Sequence, residues 1–168
     1  MAMTRILMTP LLAALWRNRL GAAAAEFAIA LPLLLAMALG AAEVGRLLYQ
    51  HHIVTKAVND AAHYAARLQD CTWAVSNATL NTTTINLVKS GNPSGAPFLL
   101  PQWSSVTATA SVSTKNFDNS AGTYRGGPSL PIVVVTAAVP ASSAILSALG
   151  LGGSLTFRVQ HEERCIGS

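Results

Sequence analysis

The chain has few charged side chains, few aromatic side chains and only two cysteines. Charged residues make up 11% of its 168 residues and aromatic residues 6%, whereas apolar residues make up 51%. An average soluble domain carries about 25% charged residues. This composition disfavours disorder, a coiled coil and collagen, and the length suits at most one ordinary globular domain. The apolar excess indicates a membrane segment or a signal sequence.

Acidic residues are absent from the first part of the chain. The formal net charge is +4, but Arg5, Arg17 and Arg19 all precede Glu26, the first acidic residue. From Ala22 onward there are 8 basic and 7 acidic residues, a net charge of +1. Because no basic stripe remains to follow a phosphate backbone, we expect no nucleic-acid partner.

A long apolar segment follows these arginines. Of the 16 residues in 27–42, 14 are aliphatic, Met or Phe. As a helix, residues 22–44 would span roughly 34 Å, enough to cross a hydrocarbon core of about 30 Å. Arg17 and Arg19 precede the segment, which predicts a cytoplasmic N-terminus and an exported C-terminal part.

Glu26 is unusual at the start of such a segment. A carboxylate costs about 2.5–3.5 kcal/mol at the centre of a membrane helix and less near the interface. It also interrupts the continuous apolar run that is typical of a secretory signal. Glu26 is therefore either an interfacial carboxylate that reaches the lipid headgroups or a residue with a specific partner.

The residues around Glu26 resemble a known pattern. Basic residues, Gly21, four alanines, Glu26 and an apolar helix resemble the type III leader of type IV pilins. Together with Pro32, the sequence Glu43-Val-Gly-Arg46 and the alanine-rich stretch 61–67, they resemble TadE-like proteins more narrowly. These are minor pseudopilins of the tight-adherence (Flp) pilus system.

The resemblance implies processing and assembly in a membrane. A prepilin peptidase would cut after Gly21, which leaves Ala22 as the new N-terminus, and Glu26, Phe27 and Pro32 would act in assembly. The partners would be other pilins or pseudopilins and inner-membrane assembly components, with no enzymatic activity, cofactor or metal. The location would be the bacterial inner membrane, with a single pass and a periplasmic C-terminal domain.

This interpretation divides the chain into four parts. Residues 1–21 are the leader, 22–44 the transmembrane helix, 45–70 an amphipathic extension and 71–168 an exported α+β head domain. Nothing from residue 45 to 68 except Gly45 is Gly or Pro, so one helix over 22–68 is expected. An apolar stripe follows helical spacing and packs either on the chain's own sheet, which we favour, or on a partner: Leu47, Val54, Val58, Ala61, Ala65 and Leu68.

The rest of the chain predicts a small sheet. Within residues 72–122, 22 of 51 are Ser, Thr or Asn. Alternation predicts strands at 106–112 and 155–160, and the apolar run 131–139 suits a central strand. A short helix is expected at 141–149. Three mostly antiparallel strands on the amphipathic helix make a pilin-like α+β fold.

Cys71 and Cys165 both follow the apolar segment. If that part of the chain is exported, the even count favours one disulfide between them. In a cytosolic protein they would be two reduced, buried thiols. The prediction of a disulfide therefore depends on the predicted topology.

Chemical motifs are weak. His51 and His52 are adjacent on a helix and point about 100° apart, so they and His63 do not make a metal site. The sequence His161-Glu-Glu-Arg164 lacks the second His of a zinc motif, and Ser142-Ser143 has no nucleophile-elbow context. An enzyme is not expected.

Two alternative functions stay open. One is a secreted binding domain whose apolar stretch is a signal peptide, with Ala38-Leu-Gly40 before Ala41 as the cleavage site. The other is a single-span envelope enzyme with an unrecognised active site. Glu26 argues against the signal peptide, and the mass of the mature protein distinguishes the pseudopilin from the secreted domain.

Overall fold

A computed structural model describes residues 19–68, 71–148, 150 and 155–166. Most of the predicted leader, residues 1–18, lies outside the described residues. The elements, in chain order, are α1 (Arg19–Ala66), α2 (Cys71–Ser76), α3 (Ala78–Ser90), a 3₁₀ helix (Pro101–Ser104), β1 (Thr109–Asp118), β2 (Ser129–Pro140), α4 (Ala144–Ala148) and β3 (Thr156–Arg164). A long N-terminal helix followed by a small antiparallel sheet confirms the predicted α+β class.

Helix α1 is 48 residues long and contains Pro32. Its extent agrees with the single helix expected over 22–68. The chain divides into two compact units, and the boundary lies between Ala42 and Glu43, inside this helix. The helix continues through residues 44 and 45, so the proposed division into a membrane span and an extension stays a prediction.

The sheet has three strands in the order β1-β2-β3, and both pairs are antiparallel. Thr109 pairs with Ala138 at one end of the first ladder and Asp118 with Ser129 at the other. In the second ladder Ile132 pairs with Arg164. The apolar run predicted as a central strand does lie in the centre, where both edges of its backbone are hydrogen-bonded.

The predicted bounds of three elements were wrong. Strand β1 covers Thr109–Asp118 instead of 106–112, β3 continues to Arg164 instead of 160, and α4 covers only Ala144–Ala148. Val106 follows the 3₁₀ helix and is 99% exposed, so its apolar side chain does not mark a strand. The 12-residue β2 offers backbone partners along its whole length, and this extends both neighbours through polar residues.

Helix α3 was not predicted, because its sequence is rich in Thr and Asn. The side chain of Asn77 caps its first turn by accepting hydrogen bonds from the backbone N–H groups of Thr79 and Leu80. Gly91 ends it in the left-handed conformation, with φ of 68°. The hydroxyl groups of Thr82, Thr83 and Thr84 donate to carbonyls one turn back, so the polar side chains are satisfied within the helix.

The core lies between the second part of α1 and the sheet. Strand β2 presents alternate residues to the helix, and the helix presents small ones, which brings the two elements close together. This packing agrees with the favoured prediction for four of the six residues of the apolar stripe, whereas Leu47 and Leu68 at its two ends are partly exposed. The core includes Val54, Val58, Ala61, Ala62 and Ala65 of α1, Val133, Val135, Ala137 and Val139 of β2, and Val159 of β3.

The structure contains the disulfide expected between Cys71 and Cys165. Their Cα atoms are 6.0 Å apart, and the two residues are 94 positions apart in sequence. Both residues are buried. The next residue, Ile166, donates its backbone N–H to the carbonyl of Ala66 over 2.9 Å, so the end of the sheet is joined to the end of α1.

Candidate membrane and assembly segment

The predicted processing and assembly residues all lie in the first part of α1. Gly21, Ala22, Glu26, Phe27 and Pro32 are exposed along the helix. A Cβ atom added at Gly21 would meet nothing within 4 Å, so the structure leaves this position open. Glu26 makes no ion pair with another residue of the described part. The processing and assembly roles of these residues stay predictions.

Large apolar side chains cover the surface of this segment. Within the described part of the chain, α1 contains one stretch that is long and apolar enough to cross a membrane. None of that stretch is buried against the protein. The apolar helix suggests membrane anchoring. Its most exposed large side chains are Phe27, Ile29, Leu33, Met37 and Leu39.

Polar side chains begin where the second unit begins. Glu43 and Arg46 form an ion pair over 3.1 Å, as their spacing on one helix allows. The carboxylate of Glu43 also accepts a hydrogen bond of 3.0 Å from the backbone N–H of Ala144, and Arg46 donates to the carbonyl of Ser142. The pair therefore holds the loop before α4 against the helix, which the sequence spacing did not show.

Gln50 continues this contact one turn further along α1. Its amide oxygen accepts from the backbone N–H of Ser142 over 3.3 Å, and its amide nitrogen donates to the carbonyl of the same residue over 3.4 Å. The side chain is buried, so these reciprocal bonds satisfy an amide that would otherwise be costly. We call Glu43, Arg46 and Gln50 the polar clamp. In the sequence, the polar clamp is indicated only by its spacing: Gln50 follows Arg46 by four residues and so lies on the same helix face as the Glu43–Arg46 pair.

The histidines are distributed as only the tertiary structure could show. His51 and His52 are both exposed, and His51 packs edge-on against Phe157 of β3. His63 instead lies beside His161 and Glu163 of β3, with one potential ligand atom from each within 4.8 Å of the others. The expectation of no metal site treated each segment separately and did not include the contact between α1 and β3, which brings these three residues together. That expectation stays untested.

Comparison with known proteins gives one match. No curated protein matches the chain, and no solved structure matches it. The family model of TadE-like proteins matches residues 21–63, which are 43 of the 168 residues. That segment contains Gly21, Glu26, Pro32 and the polar clamp. The TadE-like family is a family of pilus components and not of enzymes, and it suggests involvement in Tad pilus systems. The match confirms that this chain resembles TadE-like proteins over residues 21–63, all of which lie in α1.

Proposed function

We propose that the protein is a minor pseudopilin that helps assemble or prime a Flp-type (type IVb) pilus. The observation that carries the proposal is the TadE-like match at residues 21–63, which contains the exposed apolar stretch of α1, residues 27–42. After processing by a prepilin peptidase, α1 anchors the protein in the inner membrane. Its partners are other pilins or pseudopilins and inner-membrane assembly components.

The orientation follows from charge and redox chemistry. Arg17 and Arg19 precede the apolar stretch, so the N-terminus stays in the cytoplasm. The head domain then faces the periplasm. A disulfide between Cys71 and Cys165 supports this side, because such bonds persist in oxidising compartments.

Processing is the first step of the proposal. A prepilin peptidase hydrolyses the peptide bond between Gly21 and Ala22. The oxygen of water becomes part of the new carboxylate of Gly21, and a proton completes the new amine of Ala22. Gly21 lacks a Cβ atom, which lets an extended backbone approach a catalytic centre at the membrane face. The proposed cut leaves the whole apolar stretch attached to the head.

The test compares two glycine variants in the producing bacterium. We expect Gly21→Val to accumulate at the precursor mass and Gly45→Val to be processed like the wild type, because both sites are open on the same helix. The wild-type N-terminus should be Ala22. An N-terminus at Met1 contradicts processing, and one at Ala41 supports the secreted binding domain instead.

Assembly is the second step and concerns Glu26. Once Ala22 carries a free ammonium group, Glu26 of a neighbouring helix pairs with it and fixes the axial stagger of the subunits. In a low dielectric such a pair is strongly oriented even if its net stabilisation is small. Phe27 gives the neighbour an exposed apolar contact beside the charge, and Pro32 lacks the N–H that would bond the carbonyl of Ala28.

Small residues let such helices approach. Ala36 and Gly40 are four residues apart, as are Ala38 and Ala42, and this spacing places each pair on one face. A Cβ atom at Gly40 would meet nothing within 4 Å, so the face is open in the single chain. The neighbouring helix would cover it.

Glu26→Gln tests the charge pairing without changing shape. We expect normal membrane insertion but reduced piliation and reduced recovery of the protein with other pilus components. Glu43 is not a suitable control, because it holds the loop before α4. Asp60→Asn is suitable, since Asp60 is an exposed carboxylate of the same helix that pairs with Lys56 over 2.6 Å. Normal assembly of Glu26→Gln would contradict the pairing.

A further inference from the structure

A cluster of two imidazoles and a carboxylate lies where the end of α1 meets β3. His63 Nδ1 is 3.2 Å from Glu163 Oε1, and His161 Nε2 is 3.3 Å from Glu163 Oε2. The two imidazole centroids are 5.8 Å apart. We propose that His63, His161 and Glu163 bind a divalent transition-metal ion of the zinc type, which joins the helix to the last strand.

The fold places the three side chains together. His161 and Glu163 are two residues apart on β3, so both point to the same face of the strand. In register they pair with Val135 and Val133, the residues of β2 that lie under the helix. That face meets α1, and His63 lies on the helix at the edge of this contact. The cluster is therefore a consequence of the same packing that forms the core.

The donor set suits zinc. Two imidazole nitrogens and one carboxylate oxygen, with water in the fourth position, make a common open zinc site. Two ligand atoms bound to one tetrahedral ion at about 2.0–2.2 Å lie roughly 3.3–3.6 Å apart. The separations of 3.2 and 3.3 Å run to the two different oxygens of Glu163 and are close to this range. One ligand atom from each of the three residues lies within 4.8 Å of the other two, so a small side-chain adjustment would complete the site.

Two other carboxylates close to this cluster in sequence form ion pairs with lysines outside it. Asp60 is paired with Lys56, and Glu162 with Lys115. In the part of the chain that the structure describes, Glu163 has only the two histidines as ionic partners. A metal ion would take these imidazoles in their neutral form and the carboxylate in its ionised form, so binding would release any proton that the two histidines carry.

The site is accessible to an ion from solvent. The side chain of His63 is 51% exposed, His161 32% and Glu163 24%. His63 also lines an open cleft, together with Asp60, Tyr64, Arg67 and Leu68. Partial burial of Glu163 keeps the carboxylate in place, and the exposure of His63 leaves room for a water ligand.

Metal binding would stabilise the contact between the end of α1 and β3, close to the place where the disulfide also joins these parts of the chain. Glu163 contacts His63 near the end of α1, and two residues later Cys165 bonds to Cys71, which follows α1. An ion that binds only the folded chain stabilises it in proportion to the logarithm of the ratio of free ion to Kd. At about 100 times Kd, Zn²⁺ should raise Tm by about 5–10 °C.

The test is metal titration of the full chain in detergent, without a polyhistidine tag. We expect one Zn²⁺ per chain by calorimetry and a Zn²⁺-dependent rise in Tm. Co²⁺ in the same site should give the visible absorption of a four-coordinate ion. His63→Ala, His161→Ala and Glu163→Gln should each weaken Zn²⁺ binding at least tenfold, because each removes one of three protein ligands.

His52→Ala is the matched control. His52 is exposed on the same helix outside the cluster, so its removal should leave Kd and the Tm shift unchanged. His63→Gln keeps a polar side chain if the alanine variant folds poorly, and it should lose binding equally. A wild-type protein that shows no Zn²⁺-dependent Tm shift overturns the proposal, as does an equal shift in both His63 variants.

Discussion

The two parts of α1 are built from one continuous helix but face different surroundings. Ile29 in the first part is 80% exposed, whereas Val58 in the second part is fully buried. From residue 27 to 42 apolar residues occur on every face, while from residue 50 to 66 the buried apolar residues lie along one stripe. A helix that is apolar all round needs apolar surroundings, and a stripe needs one packing partner.

Large apolar residues are also placed differently in the two parts. The five leucines at 31, 33, 34, 35 and 39 are all exposed, whereas the buried face of the second part is rich in alanine: Ala57, Ala61, Ala62, Ala65 and Ala66. Small residues let a sheet approach the helix closely, and large ones present more apolar area to lipid. Alanines also occur throughout the first part, so neither hydrophobicity nor side-chain size alone separates a membrane segment from a core segment, whereas the distribution of apolar residues around the helix does.

Loss of the disulfide should have the largest effect, and only on the second part. In the chain-entropy model, opening a loop whose two cysteines are 94 positions apart costs about 4–5 kcal/mol. We expect Cys71→Ser and Cys165→Ser to unfold or strongly destabilise the head, while α1 still inserts in the membrane. Thermal unfolding and membrane fractionation measure the two effects.

The pairing itself is checked by alkylation and mass. Wild-type protein from the periplasmic side should show no free thiol and a mobility that changes on reduction. Two free thiols by mass, with the same mobility in both gels, would refute the bond in the cell.

A charge in the first part should have the next largest effect. Leu34→Lys places an ammonium group near the centre of the apolar stretch and should cost about 2.5–3.5 kcal/mol of insertion free energy. We expect alkaline extraction to release a large fraction of this variant. His52→Lys puts the same charge on an exposed position of the second part and should stay in the membrane. Equal extraction of both variants would argue against residues 22–44 as the span.

One substitution can be made in both parts to compare their packing. Ala61 is fully buried between α1 and the sheet, and Ala36 is exposed in the apolar stretch. Ala61→Leu should destabilise the head by about 1–3 kcal/mol through overpacking. Ala36→Leu should leave Tm unchanged. If Ala61→Leu also leaves Tm unchanged, the helix does not pack on the sheet as closely as the structure shows.

Local patterns predicted much of this fold. The long helix, the order of three strands and the resemblance to TadE-like proteins depend on sequence periodicity and on residues close together in the chain. Helix α3 escaped because Thr and Asn favour other structures, and its stability depends on the cap at Asn77 and the burial of Val88. The Thr- and Asn-rich composition argued against a helix here, and Asn77 can be recognised as its cap only once the helix is known.

The contacts between distant segments could not be predicted. His63 and Glu163 are 100 positions apart, and Glu43 and Ala144 are 101 apart. The register between α1 and β3 decides the first contact and the path of the loop before α4 decides the second, and no periodicity within these segments specifies either one. Sequence spacing explained the pair of Glu43 with Arg46 but neither the loop they hold nor the imidazoles around Glu163.

The smallest expected effect lies on the face of the sheet that points away from α1. Hydrogen bonds from Lys115 and Gln160, and the positive charge of Lys115, hold the pKa of Glu162 below its ordinary value of 4.5. A lowered pKa in the folded state contributes stability above pH 4.5, and this contribution is lost as the pH falls through the lowered value. Because both side chains are largely exposed, the contribution is small.

Lys115→Met should therefore reduce the fall of Tm between about pH 5 and pH 3, whereas Lys89→Met should not. Part of the fall in Tm should remain in every variant, because the backbone N–H of Ser120 lowers the pKa of Asp118. If the pH dependence of Tm is unchanged in Lys115→Met, the ion pair of Lys115 with Glu162 does not contribute to the stability of the head.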